Sequence, residues 1–269
     1  MFKLFKSTTA MCFVGILLGV LLVAFLEWEP LVFIVWILAC LWLPNRVANK
    51  KLDKIIDIMQ MECNLQKYIE IYERFLRKWF WRVGFYKKIE LFLLLNLSYG
   101  YLGIGDKEKA WDVLSKIMTF PDTRWGTKKS PDPRWGAEGK VVYNNNLAAY
   151  YLRVNDTENA AKALEGMKAA LENKNLSCAN RDKYFITYCD KQFSLNMVNG
   201  NYDGCEQFFN LVFEWGKTTL GKTAAKYNLG KIYLHYDRPE EAKAAFQYAA
   251  DNGGDSRFAV GAKEFLNDM

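Results

Sequence analysis

From residue 47 onward the apolar positions of this chain recur every three or four residues, the period that gathers them on one face of an α-helix. Leu52, Ile55, Ile56 and Met59 share one such face, and after a break near Asn64 a second is drawn by Tyr68, Tyr72, Phe75, Leu76 and Trp79. Ahead of them the pattern is different. Thr9 to Leu26 carries no charge over about 27 Å of helix, long enough to cross a bilayer. A secretory leader fits that run less well, because it lacks a small-x-small cleavage site and a second apolar run follows at once. That second run, Leu31 to Leu43, lies between Pro30 and Pro44 with Trp28 and Trp42 at its edges; at about 20 Å it is short for a full crossing. Lys3, Lys6, Arg46, Lys50, Lys51 and Lys54 flank the pair while the connecting turn holds only glutamates, which puts both ends on the cytoplasmic side. Leu91 to Leu95 is apolar too, but Glu90 and Asn96 bound it and make it a buried core helix. The pattern predicts three parts: an N-terminal transmembrane helical hairpin over 1–45, a divergent juxtamembrane helix pair over 46–88, and a helical array over 89–269.

The array repeats itself. Tyr227-Asn228-Leu229-Gly230 is followed by Tyr233, Ala242, Phe246 and Ala249, a spacing L-G-x2-Y-x8-A-x3-F-x2-A. Leu97, Tyr101, Ala110, Leu114 and Ile117 keep the same register, as do Leu147, Ala148, Tyr151, Ala160, Leu164 and Met167. A degenerate copy keeps Cys205, Phe209 and Val212 in its second helix but has Gln192, Phe193 and Asn196 in its first. These motifs resemble the tetratricopeptide-repeat (TPR) family. The resemblance implies an all-α, TPR-like α-solenoid of antiparallel helix pairs, in which Gly230 and Ala242 are small where two helices approach and Tyr233 and Phe246 fill the space beside them. Lys226 and Gly254 depart from the family's usual Trp and Pro. Second helices are expected to start at caps Asn155 (with Glu158) and Asp237 (with Glu240), and Ser256 to cap a terminal helix whose Phe258, Ala262, Phe265 and Leu266 cover the end of the stack.

Charge and chemistry narrow the picture by exclusion. The 269 residues carry a net charge of +6, which suits ordinary solvation and membrane orientation better than a nucleic-acid partner. The six cysteines form no C-x-x-C pair, and the single histidine, His235, has no cluster of Ser, Cys or carboxylate at catalytic or metal spacing. No P-loop, G-x-G-x-x-G, G-x-S-x-G or H-E-x-x-H occurs, so the expectation is a non-enzyme without cofactor or metal.

Candidate binding residues come from two places. Asn96, Asn146 and Asn228 precede the first Leu of three repeats, a position that in TPR proteins resembles one facing the concave groove, where an amide can read the backbone of a bound peptide. Asparagine is also common there without such a role. Tyr99, Asn145, Arg153, Tyr227 and Lys231 would line the same groove. The second place is the insertion Pro121 to Lys140, whose two Pro-Asp-x-Arg-Trp-Gly turns carry Trp125 and Trp135; these either contact a partner or fold back over the gap. The basic and aromatic stretch 74–88 suits anionic headgroups or, equally, a buried aromatic face. The functional expectation is a membrane-anchored, cytoplasm-facing scaffold or adaptor for an unknown protein or peptide, integral to the plasma membrane, or else a peptide-sensing regulator whose superhelix changes shape.

Overall fold

The computed structural model describes residue 50 and residues 52–77, 87–118, 136–174 and 176–268, and among these every regular element is a helix. The hairpin over 1–45, Trp79 and the loop carrying Trp125 and Trp135 lie outside the described residues. Contacts divide the chain into Met1–Ile58 and Met59–Met269. In the first, residues 52–58 are helical, with Leu52, Ile55 and Ile56 on the less exposed face. Among the described residues no helix is long and apolar enough to cross a membrane.

The second unit runs through α1 (Leu65–Leu76), α2 (Lys87–Ile104), α3 (Lys107–Met118), α4 (Gly136–Arg153), α5 (Thr157–Leu171), α6 (Cys178–Val198), α7 (Cys205–Trp215), α8 (Thr219–His235), α9 (Pro239–Asn252) and α10 (Arg257–Asp268). Each helix packs on its sequence neighbour or next-but-one neighbour, an order that fits an α-solenoid. The apolar faces read from the sequence are the buried ones: Tyr68 and Tyr72 of α1, Leu91 and Leu93 to Leu95 of α2, and Ala242, Phe246 and Ala249 of α9.

Four of the helix-to-helix turns are built alike. In each, the N–H of the residue after the turn donates five residues back: Asp106 to Tyr101 O, Asp156 to Tyr151 O, Asn201 to Asn196 O and Arg238 to Tyr233 O, at 2.8–2.9 Å. The preceding N–H, of Gly105, Asn155, Gly200 or Asp237, donates three residues back, which completes a Schellman motif. That motif needs one residue in the left-handed region, and these four supply it with φ of 87°, 58°, 80° and 55°. Here the structure corrects the expected caps. Asn155 and Asp237 occupy the left-handed position instead of capping, because Asn and Asp are the residues besides Gly that tolerate it. The cap falls one residue later: Asp156 accepts from Asn159 N–H, and Arg238 takes the site without a side-chain cap bond. Its guanidinium instead bridges Glu206 of α7 at 3.0 Å and Glu241 of α9, and lies 4.5 Å from the Tyr233 ring centre. Ser256 caps α10 as expected, accepting from Ala259 N–H at 3.3 Å. The insertion is also shorter than expected, since α4 already begins at Gly136.

The two ends of this unit meet. Asp255, just before α10, accepts from Leu65 N–H at 2.7 Å and Gln66 N–H at 2.8 Å, the orphan donors of the first turn of α1. Its own N–H donates to Cys63 O at 3.2 Å. Beside it Gly254, at φ 55°, has no room for a side chain, because a Cβ would come within 2.4 Å of Cys63 O. The array is thus closed on itself, last turn against first.

Candidate functional site

The first helices of successive pairs share one side of the array. A cavity of about 210 Å³ opens there, walled by α4 (Ala149, Leu152, Arg153), α6 (Lys191, Ser194, Met197), α8 (Tyr227, Asn228, Lys231) and the start of α10 (Arg257). The repeat places these residues together because its helical register turns one stripe of every first helix inward. Tyr99 of α2 stands close enough to feel the charges of Lys191, Asp190 and Arg257.

The electrostatics are one-sided. Lys191 is paired with its neighbour Asp190. Arg153, Lys231 and Arg257 have no carboxylate within salt-bridge distance among the described residues. Burial and the nearby Arg257 charge pull the Lys231 ammonium below the ordinary lysine range. Arg257 is pulled down to about 10, by burial first and then by Arg153. The Arg257 guanidinium lies 4.2 Å from the Phe258 ring centre, and Glu264 approaches Tyr227 from α10. Tyr227 itself is held by aromatic neighbours, with Phe246, Phe258 and Phe265 all within 6.1 Å between centroids.

The ten residues singled out from the sequence separate into three groups. Arg153, Tyr227, Asn228 and Lys231 line the cavity, with Tyr99 beside them. Asn96, Asn145 and Asn146 are committed elsewhere. Asn96 accepts from Tyr68 Oη at 3.0 Å and donates to Phe92 O, tying α2 to α1. Asn146 is fully buried and donates to Leu95 O and Ser98 Oγ, both at 3.0 Å, so it pins α4 to α2. Asn145 donates to Asn146 and leaves its own buried Oδ1 without a partner. Trp125 and Trp135 lie outside the described residues. Lys191 holds, in the degenerate repeat, the position that Asn96, Asn146 and Asn228 hold in the others, and it too lines the cavity; the residue that sequence reasoning missed is Arg257. Arg257 sits after the last well-kept motif; the signal for it was its register, one inward stripe per first helix.

Elsewhere, Leu171 and Lys168 of α5 and Arg181, Phe185 and Tyr188 of α6 line an outer groove of about 320 Å³. Phe185 there is 55% exposed, and its sequence neighbour Ile186, outside the groove lining, is 58% exposed. His235 stacks on Tyr202, 3.8 Å between ring centres, and has no metal-ligating neighbours, since no such cluster exists among the described residues. Set against known protein families, characterised proteins and solved structures, the chain matches none.

Proposed function

We propose that this chain is a membrane-tethered, cytoplasm-facing scaffold or adaptor of TPR-like build, which holds a protein partner close to the bilayer. The observation that carries the reading is the same Schellman turn at four successive helix pairs, joined to small residues at equivalent packing positions, Ala110, Ala160, Cys205 and Ala242, all 0% exposed. Units stacked in this way make extended surface rather than a reaction centre. The partner face is the α5–α6 groove, where Phe185 keeps more than half of its surface in water beside Lys168 and Arg181, next in sequence to the equally exposed Ile186. An extended peptide along the inner side fits less well, because the amides of Asn96 and Asn146 are already spent. The apolar segments before Pro44 supply the tether, which raises the partner's effective concentration at the membrane.

The test is photocrosslinking in cells from position 185, with position 243 on α9 as the comparison site. A dominant adduct from position 185 in the membrane fraction, lost on Ile186→Glu, supports the adaptor. Equal adducts from both positions, or a chain released by alkaline carbonate, overturn the docking face or the tether respectively.

A further inference from the structure

The inner cavity is lined by more cations than its own acids neutralise. Arg153, Lys191, Lys231 and Arg257 converge from four helices, and the nearby carboxylates are Asp190, which Lys191 occupies, and Glu264 beside Tyr227. The excess is two positive charges. Surface lysines and arginines normally spread apart into water, so gathering them inward without counter-charges is costly. The strain shows in the depressed affinities of Lys231 and Arg257 for their protons, each lowered by burial and by a neighbouring cation. Asn228 adds a neutral amide donor to the same wall, while the Ser194 hydroxyl already donates to Asp190 O at 2.8 Å. No helix of the outer layer contributes, so the charge is a property of the inner stripe.

We propose that this cavity is a binding site for a phosphoryl dianion, either free phosphate or the phosphate of a small monoester. Two net charges match the dianion, and two guanidiniums offer the fork geometry that pairs with tetrahedral oxyanions. The cavity, of about 210 Å³, admits the phosphoryl group with a small organic portion. The site is independent of the adaptor reading, since its ligand sits inside the array rather than on the α5–α6 groove.

The experiment is thermal unfolding of the full chain in detergent with inorganic phosphate, glycerol phosphate, sulfate, succinate or chloride at matched ionic strength. Phosphate or glycerol phosphate should raise Tm saturably, by on the order of 5 °C at a hundredfold excess over the dissociation constant. A larger rise with glycerol phosphate identifies a monoester as the source, and an equal rise identifies the free ion. Lys231→Gln should raise Tm without ligand, because it removes a repelled buried cation, and should abolish the phosphate shift. Lys243→Gln, on an exposed face of α9, should leave the shift intact. Equal shifts with chloride mean general screening and overturn the site; equal shifts with succinate overturn the phosphoryl assignment. A Lys231→Gln protein that keeps both its Tm and its phosphate response overturns the cavity as the location.

Discussion

Replacing Gly230 by Ala sets two local effects of opposite sign against each other. In an exposed helix interior the change is favourable by about 0.8–1.0 kcal/mol, because Ala costs less backbone entropy. Gly230 is buried in α8, and a Cβ there would lie 2.6, 2.7 and 2.8 Å from three atoms of the Phe246 ring. That ring has no retreat. It is 0% exposed, stacked on Phe265 at 4.7 Å and edge-on to Tyr227 at 5.9 Å. Forcing a methyl into such packing costs about 1–3 kcal/mol, and a walled aromatic belongs at the upper end. The net expectation is a loss of about 1–2 kcal/mol, or roughly 3–6 °C in Tm for a unit of this size. Urea unfolding of Gly230→Ala, Phe246→Leu and the double variant provides the assay. Phe246→Leu frees the space, so Gly230→Ala should be neutral or favourable in that background, a coupling of at least about 1 kcal/mol. A stabilised Gly230→Ala single variant, or additive effects in the double, would refute the close approach of α8 and α9.

Two further outcomes follow from the closure and its surroundings. Asp255→Ala removes both acceptors for the Leu65 and Gln66 N–H groups and should cost about 2 kcal/mol, with faster amide exchange at those two residues; unchanged exchange there would dissolve the tie. Burial, and secondarily the Asp255 charge, push the Cys63 thiol up to about 11, and burial pushes the Tyr72 hydroxyl up to about 12. Both groups therefore hold their protons more tightly folded than unfolded, so their contribution to stability is complete below pH 9 and is lost as pH rises through the folded values. The urea midpoint should fall between pH 9 and 11, and less so in a Cys63→Ala protein; a flat profile across that range contradicts the burial.

The helices and their buried faces were legible in the sequence because a 3.6-residue period leaves a mark at every turn. Leu97, Tyr101, Ala110 and Leu114 could be placed from spacing alone, and they are buried as a set. The caps were misread by one residue, since Asn155-Asp156 and Asp237-Arg238 offer two adjacent polar groups and only the backbone decides which takes the left-handed position. The asparagines were read as one class although their surroundings divide them. Asn146 meets Leu95 and Ser98 across a packed interface, whereas Asn228 meets the cavity. The closing contact left no local trace, because Asp255 and Leu65 are 190 residues apart and no period connects them.

An open row of repeats unzips from its ends, since each terminal unit has only one neighbour to lose and the energies add like links of a chain. Tying Asp255 to the first turn of α1 removes both free ends at once. Loosening any one pair then leaves the remainder still joined around the other way, so partial unfolding gains little chain entropy and the transition sharpens toward all-or-none. The cost appears on the way in. A contact spanning most of the unit must wait for the intervening helices, which delays its formation until late in folding and places the slow step at the seam rather than in any single helix pair.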